Sequence, residues 1–245
     1  MIKALKESIP TDLFNLYDVA MSRITQLSDD STELAINVMS WIFHAARPLQ
    51  ISELQQAIAI ENAMRDLTMD DVTPADVIVE SCLSLVQHDK ISGVVSFSHD
   101  TVREYLEERC SDQLRPMLVM AMSCLTYLSF DVFEAGACPD DDAFRMRKQN
   151  YPFGQYAALF WGVHVHGKGE QDEEILELLL ALMQSPAKVD SMGQLCMNDM
   201  TQWNLALPWL KGRTLLHVVV DNDLRDMANA LLNTSLKVFL LILPL

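Results

Sequence analysis

The sequence predicts a mainly α chain with one β-hairpin, and three observations carry that reading. Apolar residues recur at three- and four-residue spacing along most of the chain, beginning with Leu13, Leu16, Tyr17, Ala20, Ile24 and Leu27. One stretch breaks that rhythm. Leu85-Val86 and Val94-Val95-Ser96-Phe97-Ser98 flank a turn containing Asp89, Ser92 and Gly93, which is the pattern of a hairpin. Half of the 245 residues are hydrophobic and 21% are charged, so the chain can bury a sizeable core.

Taken in order, the first helix covers Leu13–Leu27, with Thr11 as its cap. Ser28-Asp29-Asp30-Ser31 opens a second helix, Thr32 to about Ala46. It is apolar nearly all round through Val38, Met39, Trp41, Ile42 and Phe43, and is predicted to be the central buried one. Arg47-Pro48 stops it. Ser52-Glu53-Leu54-Gln55 has a capping-box pattern and starts a short helix that points Leu54, Ala57 and Ile58 inward. Glu61–Asp71 reads as an acidic, mobile loop. Thr73-Pro74-Ala75-Asp76 combines a cap, a first-turn proline and an acid, and the helix it starts runs to Leu83 or Ser84. The hairpin follows as the only β signal. Val102, Tyr105, Leu106 and Cys110 then return to helical spacing, with Asp100 placed as N-cap. Helices, a hairpin and a further helix are the order of a winged-helix domain with an extra helix in front.

Further on, Leu114–Leu128, Tyr151–His166 and Glu173–Gln184 read as helices. Cys138–Asp142 reads as an acidic loop before a basic patch of Arg145, Arg147 and Lys148. Ser185–Met200 reads as a loop containing Pro186 and Gly193, and Trp203–Leu210 as a further turn or two. The segment 212–220 resembles the ankyrin opening G-x-T-x-L-H-x-A-A through Gly212, Thr214, Leu216 and His217, with Val219 and Val220 in place of the alanines. Asn222-Asp223 would take the turn and Leu224–Leu232 the second helix. A single repeat of this kind is incomplete, because stacked neighbours supply most of its stability.

The charge narrows the function. A formal net charge of −16, with 18 acids against 8 bases over residues 1–110, disfavours a nucleic-acid backbone or an anionic membrane as ligand. The helix before the hairpin carries Asp76 and Glu80 and no base, the wrong sign for a DNA-reading helix. Cys82, Cys110, Cys124, Cys138 and Cys196 lack paired metal spacing and read as buried free thiols. The first residues are too soon broken by Pro10 for a signal peptide, and Val238–Leu243 is too short to span a membrane; both point to a cytoplasmic protein. Gly162–Gly169 is near a P-loop, yet Gly169 stands where the Mg²⁺-binding hydroxyl belongs and a helix precedes it. His164 and His166 lie two apart and face different sides of a helix, so His164 reads as a core residue. No catalytic constellation and no metal or cofactor site is predicted.

Several stretches resemble a known family. Leu16-Tyr17, Trp41–Leu49, Ser52-Glu53-Leu54 and Val95–Leu106 look like the winged-helix domain that follows the NACHT ATPase in fungal NACHT–ankyrin proteins. That domain type bears the name of GPI inositol-deacylase without bringing the deacylase chemistry. Tyr151–Trp161 resembles the same family's aromatic linker helix. The resemblance implies a signalling ATPase of the STAND class, in which the winged helix locks the ADP-bound state and the ankyrin repeats bind a partner. His99-Asp100 also resembles the Met-His-Asp motif of related switches, with Phe97-Ser98 in the methionine region. Carried over, His99 would sense the ADP β-phosphate and Asp100 would position it. The alternative is an N-terminus of a helix in which Asp100 caps and His99 packs beside the hairpin.

The expected organisation is therefore a winged-helix domain over 1–110, a helical linker over 111–205 and an incomplete ankyrin repeat over 206–245. The expected function is a non-enzymatic regulatory fragment whose partners are a NACHT ATPase domain and an ankyrin-bound ligand. A free-standing protein-binding scaffold and a DNA-binding regulator are the other two readings.

Overall fold

The helix predicted to be central is central. In the computed structural model, which describes residues 11–197 and 222–233, α2 (Asp29–His44) buries Ala35, Val38, Met39, Ser40, Trp41 and Ile42. It begins three residues earlier than its apolar pattern suggests, because Ser28 is the N-cap and its Oγ accepts from the Ser31 amide. The two aspartates of the presumed break are its first turn, where acids favour the helix dipole. α1 (Thr11–Ile24) precedes it.

The chain divides into two compact units. One joins Met1–Ile58 to Thr73–Arg115, and the other joins Ala59–Val72 to Pro116–Leu245.

The first unit holds a sheet of order β1-β3-β2, with β1 Leu49–Gln50, β2 Val86–His88 and β3 Val94–Phe97, all antiparallel. The hairpin β2–β3 is as expected. It is not the only β structure, because Leu49 pairs with Val95 and Gln50 with Val94. Two residues cannot show a period of two, so β1 exists only because β3 offers it a partner. Val95 and Phe97 are buried while Val94 and Ser96 are half-buried, the alternation of a sheet with one covered face. At the tip, Gly93 has φ of +75°, and a Cβ there would lie 2.5 Å from the Gln50 Oε1. Asp89 closes the turn. Its carboxylate accepts from the Ser92 hydroxyl at 2.7 Å and the Ile91 amide at 2.9 Å, and those bonds hold it below the ordinary aspartate range.

α3 (Ile51–Ile58) and α4 (Ala75–Ser81) flank α2. Thr73 does not cap α4: Pro74 occupies the N-cap without a side-chain bond, and the Thr73 carbonyl accepts from Gln55 at 2.8 Å. The helix also ends before Leu83, because Leu83 and Ser84 turn to φ of 44° and 71° and send the chain into β2. α5 (Asp100–Arg109) follows the hairpin and buries Val102, Tyr105 and Leu106.

The second unit is helical among its described residues: α6 (Met117–Leu128), α7 (Asp141–Asn150), α8 (Phe153–Val165), α9 (Glu173–Met183), α10 (Pro186–Leu195) and α11 (Arg225–Asn233). Tyr127 centres an aromatic cluster, 4.8 Å from the Phe130 ring and 5.2 Å from that of Phe153. Two sequence readings are corrected here. The described part of Ser185–Met200 is mostly helix, since Ser185 caps α10 by accepting from the Lys188 amide and Pro186 sits in its first turn. The acids of the presumed Cys138–Asp142 loop start α7, whose N-cap Asp140 accepts from the Ala143 amide at 2.8 Å. Arg145 and Arg147 are accordingly engaged, the first with Asp142 and the second with the Gly136 carbonyl and Ser191.

The Glu61–Asp71 loop, read as mobile, is tied into this unit. Arg65 pairs with Asp131 at 3.0 Å and its carbonyl accepts from the Asp131 amide at 2.8 Å. The Tyr151 hydroxyl donates to Asp66 at 3.2 Å. His164 is a core residue as expected, 2% exposed, with its Nε2 2.9 Å from the Tyr156 hydroxyl. Glu170 joins two segments by accepting from the Gly167 amide at 3.0 Å and the Asp226 amide at 2.7 Å. α11 covers the helix expected after the Asn222-Asp223 turn. The ankyrin-like Gly212, Thr214, Leu216 and His217 lie outside the described residues.

Candidate functional site

α2 ends where α5 begins, and one residue joins them. Arg103, on the first turn and a half of α5, donates to the carbonyls of Phe43 at 2.6 Å and Ile42 at 2.8 Å, two of the groups that a helix C-terminus leaves without intrahelical partners. Its guanidinium lies 5.2 Å from the Phe43 ring centre and 5.5 Å from that of Phe97. The chain leaving α2 is fixed in turn by Arg47, which donates two bonds to Glu53 at 2.7 and 2.8 Å. The same carboxylate accepts from the Gln50 amide at 2.9 Å. The capping box suggested by Ser52 and Gln55 is not formed: Ser52 lies inside α3 and Gln55 donates to the Thr73 carbonyl, while Glu53 takes the Gln50 amide at the helix start.

Between these supports and the exposed face of the hairpin lies a cleft of about 560 Å³. Ala46, Arg47, Ser96, His99, Asp100 and Arg103 are among its lining residues. Both residues singled out from the sequence therefore reach one site, and both are exposed.

Their roles differ from the expectation. The N-cap of α5 is His99, not Asp100. With its backbone extended, His99 turns its ring back so that Nδ1 accepts from the Thr101 amide at 3.2 Å. An amide can only donate, so Nδ1 carries no proton and the neutral ring bears its hydrogen on Nε2. The Thr101 Oγ1 is 2.8 Å from the same Nδ1. Asp100 is the first helical residue, where its charge suits the helix dipole. What holds the imidazole is Thr101, two residues on, and nothing in the sequence marks Thr101 for that role. A histidine with Nδ1 committed presents an Nε2–H donor, fit for an acceptor oxygen.

His44 is another imidazole of this unit, half-buried at the end of α2. Its Nε2 donates to the Arg115 carbonyl at 3.1 Å. Burial lowers its pKa below 6.5, the bond to Arg115 opposes that, and the nearby Arg103 charge adds to it.

No grouping of metal-ligating side chains occurs among the described residues, and no helix among them is long and apolar enough to cross a membrane. Among curated proteins and solved structures, nothing matches this chain. A protein-family model does match: residues 21–115 match the model of the GPI inositol-deacylase, winged helix domain, a span that holds α2 to α5, the three strands and the cleft. That match, together with the helices and three-stranded sheet over the same residues, supports a winged-helix domain in this span.

Proposed function

We propose that this winged-helix domain is a regulatory module that couples the nucleotide state of a NACHT-type ATPase domain to partner binding by ankyrin-type elements. The ATPase domain is supplied by another chain or another part of a longer one. The module itself catalyses nothing and works in the cytoplasm. The observation that carries the reading is the state of His99: capped at Nδ1, exposed, and offering Nε2–H beside the cleft. That is the donor a sensor of an ADP phosphate needs, at the position that resembles the Met-His-Asp motif.

The charge supports a protein-facing role over a DNA-facing one. The helix before the wing, α4, exposes Asp76, Val77 and Glu80, which would repel a phosphate backbone.

His99→Asn separates sensing from folding. Asn is a good N-cap, so α5 keeps its start, while the imidazole donor is lost. With a purified NACHT ATPase domain added to the full chain, His99→Asn is expected to shorten ADP retention roughly tenfold, the effect of losing one hydrogen bond to a charged group. Equal retention by both proteins rules the sensor out.

A further inference from the structure

The imidazole of His99 is not held by its own helix alone. The Thr101 Oγ1 that reaches Nδ1 is also 2.8 Å from the Tyr17 hydroxyl on α1. The Thr101 amide fixes the polarity of this chain of bonds. Because Nδ1 must accept, the Thr101 hydroxyl donates to it, and the Thr101 oxygen is then free to accept from Tyr17. The run is Tyr17 O–H to Thr101 Oγ1–H to His99 Nδ1.

α1 is fastened to α5 by more than this hydroxyl. Phe14 and Tyr17 each pack 5.4 Å from the Tyr105 ring. The Tyr105 hydroxyl donates to Asp18 at 2.8 Å, and Arg109 pairs with Asp18 at 2.7 Å. Phe14, Tyr17 and Asp18 all precede residue 21, where the match to the winged-helix family begins. The fastening thus comes from a helix turn that the matched span does not include.

We propose that Tyr17 is a positioning residue for His99, so that docking of α1 on α5 sets the imidazole and undocking releases it. The proposal rests on the sensor reading for its purpose, though not for its geometry. α1 becomes an input: whatever pulls it from α5 removes the last donor in the chain, frees the Thr101 hydroxyl to rotate and lets the exposed ring sample other rotamers.

The test reads the ring itself, on the full chain without any ATPase. In the wild type, ¹⁵N shifts of His99 are expected to show the Nε2–H tautomer, with restricted ring motion by ¹³C relaxation. Tyr17→Phe keeps the aromatic packing and removes only the hydroxyl; it is expected to average the ring motion toward that of a free histidine side chain. Asp18→Asn weakens the other fastening and spares the hydroxyl chain, so its His99 signals should stay those of the wild type. Identical His99 signals in Tyr17→Phe and wild type overturn the proposal. With the ATPase domain added, Tyr17→Phe is expected to shorten ADP retention about threefold. If Tyr17→Phe frees the ring but His99→Asn leaves retention unchanged, the sensor reading fails and the positioning of His99 by Tyr17 stands.

Discussion

Arg103 closes α2 by donating to the Phe43 carbonyl at 2.6 Å. This one side chain ties the central helix to the helix that carries His99. Arg103→Met keeps much of the stem packing but loses both carbonyl bonds and the contact with two aromatic rings. The expected cost is about 1–2 kcal/mol, read as a lower denaturation midpoint and faster amide exchange in the last turn of α2. Lysine at this position should recover only part, because a point charge cannot span two carbonyls as a planar fork does.

His99→Ala and His99→Asn should differ in stability. Alanine removes the cap of α5 and is expected to cost about 1 kcal/mol, whereas asparagine should hold within a few tenths of the wild type. Urea denaturation of the three proteins checks this. Equal losses in both variants would show that the Thr101 amide does not depend on the side chain at 99.

Glu53 serves two partners at once, Arg47 and the Gln50 amide, and its side chain is 9% exposed against 33% for Arg47. Glu53→Ala leaves a partly exposed guanidinium and an amide without their acceptor. The loss should be about 2 kcal/mol, below the figure for a fully buried pair because water reaches Arg47. Glu53→Gln retains one acceptor oxygen and should lose roughly half as much.

His44 should make the winged-helix domain less stable in mild acid. Its folded pKa lies below 6.5, chiefly through burial, so as pH falls through 6.5 the unfolded chain takes up a proton that the folded chain refuses. Its contribution is fully present above that value and declines until the lowered folded pKa is reached. The difference in denaturation midpoint between pH 7.5 and pH 5 should therefore be smaller in His44→Gln than in the wild type, the amide still donating to the Arg115 carbonyl. An unchanged difference would remove His44 from the account.

The thiols should divide by burial. Cys82, Cys110, Cys124 and Cys138 are buried, and Cys196 is half-buried. Burial pushes the Cys82 thiol up to about 12 and raises that of Cys124 further. At pH 8, Ellman's reagent is expected to label Cys196 first and the other four only upon denaturation. Rapid labelling of Cys82 or Cys124 in the native protein contradicts their burial.

The sequence by itself determined the elements whose signals are local and repeated. α2 is apolar nearly all round, so its place at the centre could be read directly, and β3 alternates over enough residues to show one covered face. Gly93 and Asp89 announced the turn between the strands. The same local logic found His164 as a core residue. It also brought His99 and Asp100 to notice, through a motif resemblance.

The tertiary structure decided what depends on a distant partner. β1 is two residues long and exists by pairing with Val94 and Val95. The Glu61–Asp71 segment has the composition of a solvated loop, yet Asp131 and Tyr151 hold it. α10 was missed because a proline and a glycine outweighed the cap that Ser185 supplies. Above all, the state of His99 is set by Thr101 beside it and by Tyr17 some eighty residues earlier. No period or spacing in the sequence links a tyrosine on one helix to an imidazole at the start of another. Only packing brings their hydrogen bonds into line.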